Sequence, residues 1–537
     1  MHYVKLDDSP KVWADLASYN VTAREACGNT VRNITASAKA GIDPNELFDV
    51  SPYAHGSFEY FLRNPICQDM GRKIKPAFSS SDNDSAFTYF HDFGFIPRIQ
   101  KNEAGEERRG FKVIVAGGLG AVSMIGHTVY EFLPEEQIIP FMEAGIRVFD
   151  RYGEREKRMK ARMKFLVKKI GIEEFMRLLE EERKGLASQE YWIDRDTVDN
   201  GAKTVSEEIL ETQPHNAERF ETWKRTNVFE QKQKGWFAVQ VRVYLGNISA
   251  EKARKFAALV SHYAADDIRI TVNQGMLLRF IRSENLAHVF NELDKLGLAE
   301  PGFDSIFDIT ACPGTDTCAL GVTNSTGLSG ELEKVLQREY PELVDERNIK
   351  IKISGCMNSC GQHMAANIGF HGSSITKKAL VVPAMQVVIG GGVSPEGEGF
   401  VAQKVSKVPT KKVPDVVRYL LDDYSEHAEE NEYFNNYFYR KGKPYFYKLL
   451  KPLTGTDELE GTDFFDWGQD YAFKPQVGVG ECAGVTLDVV GTIIQDAYDK
   501  VELAKEAMAA KAYGDSIYHS YTAFVVGAKA MLLSADV

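Results

Sequence analysis

Cysteine is scarce in this chain, with seven in 537 residues. That is too few for a disulfide framework, the device of small secreted domains that lack a sufficient core. No run of about 18 apolar residues occurs, so no membrane-spanning helix is expected. The opening stretch, MHYVKLDDSPKVWADL, has neither the basic nor the apolar part of a signal peptide, which makes the cytoplasm the default expectation. Positive charge is in deficit too. With 64 Lys and Arg against 76 Asp and Glu, the formal net charge is −12. A general nucleic-acid binder would carry the opposite balance, so no nucleic-acid partner is expected, and no membrane partner either. Hydrophobic residues at 44% and charged residues at 26% describe an ordinary globular protein. Its length calls for roughly two to four domains rather than one core.

Few as they are, the cysteines are unevenly placed. Cys312 and Cys318 stand in DITACPGTDTCALG, and Cys356 and Cys360 in KISGCMNSCGQHMAANIGFHG. In a reducing compartment, cysteines grouped this way hold metal or do redox chemistry. Zinc knuckles usually use Cys-x2-Cys turns, which bring two thiolates onto one ion. The longer Cys-x5-Cys and Cys-x3-Cys spacings suit an iron–sulfur cubane, whose irons occupy separate corners. Spacing alone leaves both readings open. Cys27, Cys67 and Cys482 are isolated, and each is expected to be a small buried hydrophobe.

The chain also repeats itself. Residues 235–247 read as a strand and 249–264 as a helix with a Ser N-cap. Residues 267–281 read as one or two strands, and 285–297 as a helix closed by Gly297. This order suits half of a ferredoxin-like unit. The N-terminal HYVKLDDSPKVWADLASYN aligns with the last part of it, Val12 and Trp13 with Val289 and Phe290, and Leu16 with Leu293. VRNITAS then meets FDITAC, RKIKPAFSSS meets NIKIKISGC, DFGFIP meets ANIGFHG, and FKVIVAGGLG meets MQVVIGGGVS. Five matches in one order indicate a duplication. Ser37 stands where Cys312 does and the serines at 79–81 near Cys356, so only the second copy carries the clustered thiols. The first copy has no counterpart of residues 235–275, and the chain is expected to begin partway through its own repeat.

ACPGTDTCALG and SGCMNSCGQHMAANIGF, set in this two-copy frame, resemble the siroheme-containing nitrite and sulfite reductase family. The resemblance covers about residues 1–455. It implies an α+β fold: an internally duplicated nitrite/sulfite reductase fold of ferredoxin-like halves plus two α/β cofactor-binding domains, followed by a C-terminal helical segment. The expected divisions are 1–19, remnant of the first ferredoxin-like half; 20–134, first reductase repeat; and 135–228, basic helical region and linker. Then come 229–303, second ferredoxin-like half; 304–455, second repeat; 456–484, loop-rich connection; and 485–537, helical segment. Cys312, Cys318, Cys356 and Cys360 become the ligands of a [4Fe–4S] cluster, with Cys360 also the siroheme ligand. Asn367 stands where the family signature is usually acidic. A TTRQ-like siroheme contact of the family would precede residue 1.

The same resemblance gives the first copy its task. Sulfite and nitrite are anions whose reduction needs fixed positive charge and protons at the reacting atoms. Arg32, Lys73 and Lys75 are the expected substrate-side cations, the two lysines sharing one face of a predicted strand. Taken alone, a Lys-x-Lys pair would read as a solvated strand face. A lysine at 75 favours sulfite, and asparagine there nitrite. Siroheme carries eight carboxylates, and Asn33, Asn273, Gln274, Arg158, Lys160 and Arg162 are its expected contacts. The stretch 158–164 reads equally well as a solvated helix face. The Gly-rich turns at 117–120 and 390–392 lack a full nucleotide-binding fingerprint. Electrons would come from a partner, either ferredoxin or a flavoprotein reductase. Alternatives are a nitrite reductase forming ammonia and a non-catalytic iron–sulfur or metal-binding protein.

Beyond the reductase resemblance, residues 485–511 and 513–533 read as two helices resembling a HEPN-type segment, expected either to be an incomplete module or to pack on the reductase body or a second subunit. Purified protein should contain iron and acid-labile sulfide and show a haem-type Soret band. Zinc without visible absorbance would establish the structural-metal alternative instead.

Overall fold

The computed structural model describes residues 4–68, 70–101, 105–198, 208–210, 212–377, 380–457, 459–474 and 489–534. Helix α1 (Ser9–Ala17) precedes the first repeat, which contains β1 (Thr35–Ala36), α2 (Ser51–Phe61), β2 (Pro76–Phe78), β3 (Phe93–Lys101), β4 (Glu107–Val115) and β5 (His127–Pro134). Helices α3 (Ile138–Tyr152), α4 (Met163–Ile170) and α5 (Ile172–Lys184) complete it. The sheet runs β1-β2-β3-β4-β5, with parallel pairing as far as β3 and antiparallel pairing beyond. Its aromatic core of Phe78, Phe93, Phe95, Phe111 and Phe141 lies under α2 and α3.

The central unit holds α6 (Ala217–Asn227), β6 (Val228–Glu230), β7 (Trp236–Val241), α7 (Ala250–Tyr263), β8 (Arg269–Ile270), β9 (Met276–Arg282) and α8 (Leu286–Lys295). Ser249 caps α7 by accepting from the Lys252 N–H, and Gly297, at φ +63°, follows α8 as the sequence suggested. Composition misled at 186–228. The expected linker contains a helix and an edge strand, because Trp223 and Phe220, the few apolar residues of a polar stretch, anchor α6 in the core of this unit. Residues 208–210 and 212–215 also lie along α8 and its N-terminal cap, where the Leu210 N–H donates to Asn285 and the His215 N–H to Asn291.

The second repeat contains β10 (Thr310–Ala311), α9 (Ser325–Glu339), β11 (Ile351–Ser354), β12 (Ile368–Lys377), β13 (Leu380–Ile389), β14 (Gly392–Val393), β15 (Gly399–Phe400) and β16 (Gln403–Pro409). Helices α10 (Val413–His427), α11 (Phe434–Lys441) and α12 (Lys443–Leu450) close it. Its sheet, β10-β11-β12-β13-β16, repeats the parallel and antiparallel pairings of the first. The registers of the parallel pairs agree residue for residue. Thr35 pairs with Ala77 as Thr310 does with Lys352, and Pro76 with Phe93 as Ile351 does with Ile368. Backbone crowding recurs as well. A Cβ on Gly94 would stand 2.6 Å from the Thr88 carbonyl oxygen, and one on Gly369 would stand 2.1 Å from that of His363.

Helix α1 matches α8 in sequence but not in surroundings. Val289, Phe290 and Leu293 of α8 are buried in the central core, whereas no residue of α1 is buried. Downstream, the connection is pinned where Asp466 accepts the Asn324 N–H at 2.6 Å and the Trp467 indole donates to the Thr410 carbonyl at 3.0 Å. The two expected C-terminal helices are α13 (Val489–Ala509) and α14 (Tyr513–Ser534); residues 485–488 of the expected first helix lie outside the described residues. They form an antiparallel hairpin docked on the second repeat through Lys404–Asp499, Lys443–Glu506 and Lys451–Asp515 ion pairs at 2.8–3.0 Å. Gly94→Ala and Gly369→Ala should each cost about 1–3 kcal/mol by overpacking, read as a loss of melting temperature of similar size in both variants.

Candidate active site

The two repeats and the central unit enclose a cavity of ≈ 1520 Å³. That exceeds the roughly 300–1,000 Å³ of most small-molecule pockets. All four clustered cysteines line it. Cys312 follows β10 and Cys356 follows β11, so parallel pairing of two short strands brings distant sequence segments side by side. Glycine makes the final approach possible. A Cβ on Gly355 would lie 2.5 Å from the Gly314 Cα, and one on Gly361 would lie 1.9 Å from the Ile353 carbonyl oxygen. The Gly355 N–H then points at the Cys312 sulfur at 3.1 Å. Burial pushes the Cys356 thiol up to about 12, with smaller contributions from Cys360, Cys312 and Cys318. Cys312 is buried and Cys360 is exposed.

Among the described residues, no three His, Cys, Asp or Glu side chains converge closely enough to hold a single metal ion.

The same cavity carries a wall of cations. Arg32, Lys73, Lys75, Arg158, Lys160 and Arg162 all line the cavity. The lysines are not within the strand proper but in the extended segment leading to β2. Ile74 bridges to Val31 and is fully buried between them, so Lys73 and Lys75 face the cavity together, as alternation requires. Desolvation, followed by the charges of Lys75, Arg162, Arg72 and Arg32, pushes Lys73 down to about 8. Lys75 is lowered by burial and then by Arg162, while Asp92 and Cys360 act in the opposite sense. The Nε atoms of Arg32, Arg158 and Arg162 are buried without a protein partner. A wall of this kind suits a polyanion.

Several contributors had escaped the sequence reading. Asp92, fully buried, accepts from the Lys75 N–H at 2.8 Å and from the Arg162 guanidinium at 2.7 Å. Lys164 donates to the carbonyls of Gly118, Leu119 and Val122 at 2.6–3.1 Å, fixing the Gly-rich turn at the cavity edge, and burial pushes it down to about 7. His91 also lines the cavity. Its Nδ1 donates to the Phe87 carbonyl at 2.8 Å, and burial holds the ring neutral, pushed down to about 4. One signal for Asp92 was available: it stands in the first repeat where Asn367 stands in the second. The Lys350 N–H donates to Asn367 at 2.8 Å as the Lys75 N–H does to Asp92.

That comparison also accounts for the amide at 367. Asn367 donates to the Tyr433 hydroxyl at 2.7 Å and to the Asn435 side-chain oxygen at 2.9 Å, which a carboxylate could not do. Tyr433 precedes α11 as Arg162 precedes α4. A charged pair in one repeat is therefore a neutral hydrogen bond in the other.

Three expectations need correction. Gln274 does not line the cavity. Both ends of its amide are taken by Ala311, accepting from its N–H at 3.1 Å and donating to its carbonyl at 2.9 Å, so it braces the strand before Cys312. The stretch 158–164 is not a solvated helix face. It is a 3-10 turn, Arg158–Lys160, followed by the start of α4, and this irregular backbone aims its cations inward. Cys27 is exposed at the cavity edge rather than buried, Cys67 is fully buried, and Cys482 lies outside the described residues. Asn33 and Asn273 do line the cavity, with Asn273 donating to Asp304 at 2.8 Å.

Four thiols sharing a cavity with a cationic wall within a duplicated α+β frame define a class: oxidoreductases that hold a metal cluster against an anionic prosthetic group. Residues 27–186 and 302–456 match the nitrite and sulphite reductase 4Fe-4S domain, and residues 229–296 match the nitrite/sulfite reductase ferredoxin-like half domain. The chain belongs to the nitrite and sulfite reductase family, whose cofactors are siroheme and a [4Fe–4S] cluster. It is an oxidoreductase acting on sulfite or nitrite.

An assimilatory ferredoxin-dependent nitrite reductase of Haloferax mediterranei is 27% identical over 460 residues, which cover 84% of this chain and 75% of that one. A sulfite reductase (ferredoxin) of Mycolicibacterium paratuberculosis is 28% identical over 445 residues, covering 82% and 75%. The solved structure of the Mycobacterium tuberculosis NirA protein superposes with a TM-score of 0.66 at 25% identity, covering 83% of this chain and 77% of that one. Enzymes named for either substrate are thus about equally similar to this chain.

Because Lys73 titrates lower folded than unfolded, the unfolded chain binds the extra proton between about 8 and the ordinary value of 10.5, and stability rises with pH across that window. In cofactor-free protein, Lys73→Met should remove that part of the rise. Urea unfolding at pH values on either side of the window measures it.

Proposed function

We propose that the protein reduces sulfite to sulfide. Sulfite takes up six electrons and six protons and releases three waters, leaving sulfide. Cys312, Cys318, Cys356 and Cys360 would hold the cluster, and Cys360, the exposed thiol of the set, would also reach the siroheme iron. When bound, the two groups supply the electrons and the iron at which sulfur is held. The residues supply the rest. Arg158, Lys160, Arg162, Asn33 and Asn273 would meet the macrocycle's carboxylates. Arg32, Lys73 and Lys75 would hold the sulfite oxygens and pass protons to them as water leaves.

One observation carries this reading. Lys73, Lys75 and Arg32 share a wall of the cavity that holds Cys360, near enough that the Cys360 charge acts on Lys75. A dianion with three oxygens gains more from three cations than nitrite does, which favours sulfite. Lys73, pushed down to about 8, parts with a proton more readily than an ordinary lysine. Electrons would come from ferredoxin, the donor named for the relatives above.

Steady-state rates with reduced methyl viologen test the substrate. The expected result is a higher kcat/KM for sulfite; a clear preference for nitrite would select the ammonia-forming reaction. Lys73→Ala and Lys75→Ala should each lower sulfite kcat/KM by about 10²-fold or more with nearly unchanged visible spectra. Cys360→Ser should disturb the siroheme and cluster signals together.

A further inference from the structure

Among the described residues, nothing covers one face of the C-terminal hairpin. In α13, Ile494, Tyr498, Val501 and Met508 are all exposed and follow the alternating four- and three-residue steps of a coiled-coil seam, with Lys505 at the intervening position. In α14, Ile517, Tyr521 and Phe524 follow the same steps, continued by Ala528, and are 71%, 68% and 81% exposed. At 3.6 residues per turn, both seams fall on the side of the hairpin away from Asp499, Glu506 and Asp515, the residues that pair with the reductase body. The helices bury Ala504, Ser516, Ala523 and Ala530, small residues that allow close approach but contribute little apolar area.

We propose that this face docks against the same face of a second copy, two hairpins closing an antiparallel four-helix bundle about a twofold axis. Three observations select that occupant. Residues 516–528 contain no Asp, Glu, Lys or Arg, so nothing on the α14 seam selects a charged partner, while a row of like apolar side chains is complementary to itself. Area suffices. An aromatic side chain carries roughly 150–250 Å², and three largely exposed rings with the aliphatic positions between them bring two facing copies to about the 1,000 Å² that a specific interface requires. A membrane surface is the poorer fit. The hairpin carries five acidic residues (Asp496, Asp499, Glu502, Glu506, Asp515) against four lysines (500, 505, 511 and 529), without the basic flank of an interfacial helix.

Size-exclusion chromatography with light scattering on the full holoprotein tests the proposal. Wild-type protein should be a dimer at micromolar concentration, and Phe524→Glu a monomer with the same visible spectrum and sulfite turnover within twofold. Asp499→Asn, on the body-facing side, should remain dimeric. A monomeric wild type would overturn the proposal, as would a dimer that survives Phe524→Glu combined with Val501→Glu. Flotation of monomeric wild type with anionic phosphatidylglycerol vesicles, abolished by Phe524→Glu, would assign the face to a membrane and overturn it as well.

Discussion

Positive charge packed against positive charge is the constraint on which this molecule turns. Burial and the charges of Arg162 and Arg32 depress the basicity of Lys73 and Lys75, and within the wall the fully buried Asp92 answers Lys75 and Arg162. Left open, such a wall costs stability, because desolvated like charges repel. It persists because the frame around it is over-determined. Ile74 is fixed by its bridge to Val31, and Lys164 ties the neighbouring turn through three carbonyls. Binding of anions then releases energy that folding has stored, and preorganisation of this kind is how electrostatic catalysis works.

The duplication gives that constraint a control within the same chain. Where the first repeat sets Arg162 against Asp92, the second sets Tyr433 against Asn367 on an equivalent backbone. Where the second repeat has Cys312, the first has Ser37, hydrogen-bonded to Ser85 at 2.7 Å and to Ser80 at 3.1 Å. The first copy has a serine where the second has the Cys312 thiol, and the second has a neutral pair where the first has an ion pair. The cavity needs both, since each supplies what its twin lacks.

Much of this was legible in the sequence. The thiol pairs, the order of the repeats, the Ser249 cap and the Lys73/Lys75 alternation depend on local spacing, and spacing is what a sequence displays. The failures have a common cause. Asp92 is one acid among many until the register places it beside Arg162, and Gln274 sits in a motif that says nothing of which way its amide turns. Helix α6 was hidden because two aromatic residues suffice to anchor it in an otherwise polar stretch. Partnership across the fold, unlike periodicity along the chain, leaves little local trace.

Gln274 belongs to the central sheet unit, yet its side chain serves Ala311 as a neighbouring strand would, offering one acceptor and one donor. The border between the ferredoxin-like half and the thiol-bearing repeat is therefore stitched at this strand by one amide, beside the Asn273 bond to Asp304 and the Arg242 bond to the Phe307 carbonyl. A half without a glutamine at this place would leave two backbone groups of the strand before Cys312 without this side-chain partner, so the geometry of the first thiol depends on a residue of the neighbouring unit.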